Sequence, residues 1–228
     1  MKIQAALALA ALCAVGPSVT RASVRPPASG DTVAFLGDSI TYLGTTNGHG
    51  YVQRVLRSFR DAGIAVRPVF AGVSGDTCRQ MRARLDRDVL SKRPGLVFFS
   101  DGVNDPPNGI DNPGVPLAEF KATYAEIVDR ILASGARVVL LGPTPVVEGE
   151  HVANRNQKAY VAFIRAFAAE RKLPLADMTA LFDALYAKKA DPKTRAYTTD
   201  GTHLNAAGNA HFANEVLKLF GLGGRAQK

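Results

Sequence analysis

The chain has 228 residues, 46% of them hydrophobic and 21% charged, with 21 Gly and 13 Pro. That make-up excludes a disordered or collagen-like chain and suits one domain with a sizeable core. Two cysteines exclude a disulfide-rich framework and a four-thiolate zinc site. The formal charge of +8 favours acidic partners without choosing among nucleic acid, anionic lipid and polyanionic glycan.

In chain order, Lys2 precedes an apolar run from Ile3 to Val15, closed by Gly16 and Pro17. This is the pattern of a secretory signal peptide, and the run is too short to span a bilayer as a permanent helix. The small-residue rule places cleavage after Ala22. Residues 1–22 are therefore read as the signal and 23–228 as a single domain, secreted or periplasmic, with no stable membrane insertion after cleavage. Cys13 leaves with the signal. Leu12 stands before it, where a lipoprotein signal needs a small residue. Cys78 then has no partner within the chain and reads as a thiol packed on a helix.

From Asp31 onward short apolar runs alternate with longer amphipathic stretches, which predicts a parallel sheet covered by helices on both faces. Five strands are expected, at 32–37, 64–70, 95–100, 136–142 and 173–178, with helices near 51–62, 77–90, 156–171 and 205–220. Between the third and fourth strands, Leu117, Phe120, Tyr124, Ile127, Val128 and Ile131 share one helical face, and Gly135 ends it. The loop at 101–116, rich in Gly, Pro and Asn, is too short to divide the chain and reads as a loop over a site.

In such a sheet the ligand sits beyond the carboxyl ends of the strands, so the residues that follow each strand are the candidates. Ser39 follows the first strand at the start of a helix, where its hydroxyl is exposed and its N–H lacks a helical partner. Capping alone would also explain a serine there. A nucleophilic serine needs a base and an acid that holds the base in one tautomer. Of four histidines, His203 is the candidate, with a carboxylate three residues earlier across a glycine turn, Asp200. A side chain with an ordinary pKa of ~6.5 suits a base near neutral pH. An oxyanion needs fixed donors, each worth roughly 3–4 kcal/mol. The Ser39 N–H, the Gly75 N–H and the Asn104 amide are available from three different loops. Each residue alone is equally well read as a turn or cap; their joint placement at one end of one sheet gives the pattern its weight.

The blocks GDSIT (Gly37 to Thr41), VSGDT (with Gly75), GVND (Gly102 to Asp105) and DGTHL (Asp200 to Leu204) resemble those of the SGNH hydrolases, the GDSL esterase/lipase superfamily. The resemblance covers about residues 31–221. It implies a three-layer flavodoxin-like α/β fold and a serine esterase with Ser39 as nucleophile, His203 as base and Asp200 assisting it. It also implies an oxyanion hole of Ser39, Gly75 and Asn104, supported by Asp38 and Asp105, and neither metal nor cofactor. Two departures stand out. Phe70 occupies a position where many relatives carry Asn, and Pro106-Pro107 follows Asp105 where many carry an apolar or aromatic residue, which bears on the shape of the acyl pocket.

Residues 115–147 most resemble bacterial members that remove short acyl groups, often acetyl, from carbohydrates. A polar loop at 101–116 in place of an apolar lid agrees with a small polar substrate. Lysophospholipase-like or thioesterase-like hydrolysis, acyl transfer by the same residues and a non-catalytic glycan-binding module are the alternatives. The intact nucleophile set argues against the last. Arg54, Arg57 and Arg60 on one predicted helix and Arg79, Arg82, Arg84 and Arg87 on the next, interspersed with Asp, read as solvated faces; acidic polysaccharide is the functional alternative. No nucleic-acid motif is present.

Overall fold

The computed structural model describes residues 24–46, 48–108, 113–191 and 194–224; the signal-peptide reading lies outside them. Five parallel strands, β1 (Thr32–Gly37), β2 (Arg67–Gly72), β3 (Leu96–Ser100), β4 (Arg137–Leu141) and β5 (Leu175–Ala176), form one sheet in the order β2-β1-β3-β4-β5. Seven helices accompany them among the described residues: α1 (Ser39–Thr46), α2 (Tyr51–Asp61), α3 (Cys78–Asp88), α4 (Leu117–Ala133), α5 (Val152–Glu170), α6 (Met178–Tyr186) and α7 (Ala206–Lys218).

The period of two in the strands divides the core. Val33, Phe35, Leu96, Phe98, Val139 and Leu141 face α2, α6 and α7, while Ala34, Leu36, Val97, Phe99, Val138 and Leu140 face α3, α4 and α5. Because β1, β3 and β4 are buried on both faces, their sequences are almost continuously apolar. Phe35 and Phe98 stack at 4.8 Å between ring centres across the β1–β3 pair. The strand order reverses direction between β1 and β3, and this is the switch point at which such sheets bind ligands.

Three expected elements differ, α5 among them, which begins at Val152 ahead of the expected 156. β2 starts at Arg67, whose N–H bonds to Asp31 O, because Ile64 is still bonded back to Phe59 O in closing α2. The expected strand at 173–178 shrinks to Leu175–Ala176, since Asp177 caps α6 by accepting the Ala180 N–H. An apolar run that passes directly from strand to helix carries no periodicity that separates them.

Candidate active site

Ser39 is the first residue of α1. It does not serve as the cap: Asp38 Oδ1 accepts the Ile40 N–H at 2.9 Å, so the Ser39 hydroxyl is left for another partner. That partner is His203, whose Nε2 lies 3.0 Å from Ser39 Oγ. On the other side of the ring, Nδ1 lies 2.6 Å from Asp200 Oδ2. Asp200 Oδ1 accepts the Thr202 and His203 N–H groups at 2.9 and 2.8 Å. Burial pushes the Asp200 carboxyl up, but the His203 ring and these two N–H groups outweigh it and hold the carboxyl well below its usual range.

The short turn that presents His203 is closed by a Thr198–Leu204 bridge and by Thr199 N–H bonding to His203 O. Gly201, at φ +105°, makes the reversal that brings Asp200 under the ring. The other histidines lie elsewhere: His49 is exposed, His151 caps α5, and His211 sits in α7 with its ring edge against Tyr197.

Gly75 and Asn104 sit on loops that are fastened to each other and to the end of β1. Asn104 Nδ2 donates to Asp76 O at 2.9 Å. Val73 N–H bonds to Gly37 O at 3.0 Å, and the same carbonyl accepts from Arg84 Nη2 at 3.0 Å. Gly75 has φ +82°, with open space where a side chain would begin. Among the described residues, neither the Ser39 nor the Gly75 N–H is taken by another acceptor. Both remain available as donors.

Arg84 departs from the solvated-face reading. Arg79, Arg82 and Arg87 are exposed and paired with Glu119, Glu126 and Asp88. Arg84 is buried, and its Nε meets Asp76 Oδ2 at 2.6 Å. One guanidinium thus joins the residue after Gly75 to the strand end before Asp38. Gln157, also buried, performs a similar task from α5, donating to Gly102 O and Thr144 O at 2.9 Å each. Asn156 holds Pro107 O at 2.8 Å, which fixes the Pro106-Pro107 turn. Neither Arg84 nor Gln157 stands out in the sequence, because each reaches a carbonyl about fifty residues away, Gly37 O for Arg84 and Gly102 O for Gln157. Phe70 lies on the edge strand and is half exposed.

Beneath α1 lies a group of buried acids. Asp38 Oδ2, Asp101 Oδ2 and Asp105 Oδ2 have no hydrogen-bond partner. Burial, reinforced by the charge of Asp105, pushes the Asp38 carboxyl up to about 7, against the pull of the Ile40 N–H and of His203. Asp101 is likewise pushed well above the carboxylate range by burial and by Asp105. Asp105 Oδ1 accepts the Cys78 N–H, the first of α3, at 2.9 Å. Cys78 is buried there, and burial pushes its thiol up. The Cys78, Asp101 and Asp105 ligand atoms lie within 4.8 Å of one another, the one described group with the make-up to hold a metal ion.

A serine at the switch point of a parallel α/β sheet, with a histidine and a carboxylate in line behind it, is the arrangement of a serine hydrolase. The chain belongs to the GDSL-like lipase/acylhydrolase family, whose model matches residues 35–211. It is a carboxylic ester hydrolase. It is 28% identical over 211 residues to an acetylxylan esterase from Geobacillus stearothermophilus, covering 85% of this chain and 95% of that one. Among solved structures, an acetyl xylan esterase, AlAXEase, matches at TM-score 0.75 and 26% identity over 82% of this chain and 98% of its own. The acetylxylan esterase structure from Geobacillus stearothermophilus matches at TM-score 0.75 and 25% identity, with 85% and 95% covered. No described helix is long and apolar enough to cross a membrane.

Proposed function

We propose that the protein removes acetyl groups from carbohydrate, with acetylated xylan or its oligosaccharides as the substrate class, through an acyl-enzyme on Ser39. The observation that carries the chemistry is the unbroken line from Ser39 Oγ to His203 Nε2 and from His203 Nδ1 to Asp200. The similarity to acetylxylan esterases across nearly their whole length supports the substrate.

In this reading His203 Nε2 takes the Ser39 proton as Oγ attacks the acetyl carbonyl. The oxyanion is met by the Ser39 and Gly75 N–H groups and by the Asn104 amide, whose Nδ2 keeps one hydrogen on Asp76 O and offers the other. The imidazolium then protonates the departing sugar oxygen. A water repeats the sequence: His203 takes its proton, the hydroxide oxygen attacks the acetyl carbon, acetate leaves, and Ser39 Oγ regains its proton. Asp200 keeps the ring in the tautomer that leaves Nε2 free to accept.

The apolar N-terminal run supports export from the cytoplasm, to the periplasm or beyond the cell. A mature N-terminus at Ser23 in protein recovered outside the cytoplasm checks it. The function is tested with acetylated xylooligosaccharides beside p-nitrophenyl esters of increasing chain length, with and without an acceptor sugar. Acetate release from the oligosaccharide, a steep fall beyond short acyl chains and no transfer product are expected. Ser39→Ala should lower acetate release by ~10⁴-fold or more with the fold retained. Preference for long acyl chains, or acetyl accumulating on the acceptor, would overturn the substrate or the reaction respectively.

A further inference from the structure

The His203 turn is at the periphery, yet His203 must stand within a few tenths of an ångström of its working position. What holds it is a segment the sequence does not flag, residues 146–148 after β4. Thr202 Oγ1 donates to Val146 O at 2.7 Å, and Glu148 N–H donates to Gly201 O at 2.6 Å. The Glu148 carboxylate is then filled from one stretch of chain. Oε1 accepts from Lys189 Nζ at 3.0 Å and the Ala196 N–H at 2.8 Å, while Oε2 accepts from the Thr198 hydroxyl at 2.6 Å and the Tyr197 N–H at 3.2 Å. The segment is itself braced by Asn154 on α5, which bonds both the N–H and the carbonyl of Val147 and also Gly149 O.

We propose that Glu148 is the positioning residue for the catalytic base: its carboxylate ties Lys189 to residues 196–198, and its own N–H fixes Gly201, so that Asp200 and His203 arrive in register with Ser39. The inference rests on His203 being the base. Glu148 and Lys189 side chains are 1% and 5% exposed. A buried carboxylate is costly unless its lone pairs are occupied, and here four donors occupy them. Burial pushes this carboxyl up, but the Thr198 hydroxyl, the Ala196 N–H, Lys189 and the Tyr197 N–H together hold it below its ordinary value. The chemistry of the site requires the carboxylate. Each oxygen faces two donors, so a glutamine must turn its NH₂ toward a pair of donors whichever way it is flipped. Aspartate, one methylene shorter, withdraws from all four.

The test uses Glu148→Gln in the full chain, with Thr198→Val as a milder break of the same link that leaves Lys189 paired. For each variant the readouts are the melting temperature, kcat and KM on p-nitrophenyl acetate, and the downfield proton resonance of the His203 Nδ1–H shared with Asp200. Glu148→Gln is expected to lower kcat by ~10²-fold, the order a misplacement of about 1 Å costs, with KM little changed and the downfield resonance lost or broadened. Thr198→Val should show the same pattern more weakly. A folded Glu148→Gln or Thr198→Val protein with wild-type kcat and an unchanged resonance overturns the proposal. A lowered melting temperature with the resonance and kcat intact at low temperature also overturns it, since Glu148 would then serve stability alone. His203→Ala, run in parallel, separates the two readings. If it retains turnover, the assignment of the base fails; if it is inactive while Glu148→Gln is normal, only the role of Glu148 fails.

Discussion

Two carboxylates lie on either side of Ser39 in opposite surroundings. Asp38 precedes it in the chain and is wholly buried, with one oxygen capping α1 and the other unpartnered. Asp200 approaches through His203, its side chain 54% exposed, and both its oxygens are occupied by donors. Burial wins at Asp38 and pushes it up to about 7; hydrogen bonds win at Asp200 and hold it low. Environments that push two acids apart in this way assign their tasks. The ionised one can stabilise an imidazolium, and the one beneath serves as a helix cap. Burial and the donors aimed at a carboxylate together decide its charge.

The comparison can be broken in four ways. Asp200→Asn removes the charge that His203 needs and offers its ring an amide in place of a carboxylate, so kcat should fall by ~10²–10⁴-fold at unchanged KM; steady-state kinetics with p-nitrophenyl acetate checks it. Arg84→Met tests the buried side, where Asp76 differs from Asp38 in having a guanidinium at 2.6 Å. Leaving Asp76 buried and unpaired should cost ~3–5 kcal/mol, seen as a lower urea midpoint, and should loosen the Gly75 loop.

The pH dependence of stability sharpens the contrast, because the two acids act with opposite sign. Asp38, raised from 3.8 to about 7, binds its proton more tightly when folded. Its contribution is full below about 4 and is lost as pH rises through 7. Asp200 is lowered from 3.8, so its contribution is present above that value and is lost as pH falls below it. Denaturant titrations from acid to neutral pH should show a shallower fall toward neutral pH in Asp38→Asn, where Asp101 still contributes, and a smaller acid-side loss in Asp200→Asn, where Glu148 still contributes. The smallest effect is that of Asp38→Asn on catalysis. The amide keeps the cap on Ile40, and kcat/KM should stay within ~10-fold, under ~1.4 kcal/mol. A larger loss would give Asp38 a part in the chemistry.

Much of this was legible in the sequence, for a physical reason. Ser39, Gly75, Asn104 and the pair Asp200 and His203 each sit in a short block just after a strand or before a helix, so that local turn chemistry alone places them at one end of the sheet. Arg84, Gln157 and Glu148 were not legible. Each acts at the end of a long side chain on groups that only folding brings near, and in sequence Arg84 looks like its exposed neighbours Arg82 and Arg87. The helix α6 was hidden because its apolar start continues that of β5.

The most direct measurement is of the acyl-enzyme itself. Wild-type protein mixed with p-nitrophenyl acetate, quenched in acid within the first turnover and digested should carry one acetyl group on the peptide containing Ser39, and Ser39→Ala should carry none and release no nitrophenol above background. An acetyl group on another residue, or steady turnover by folded Ser39→Ala, would contradict the assignment of Ser39 as the nucleophile.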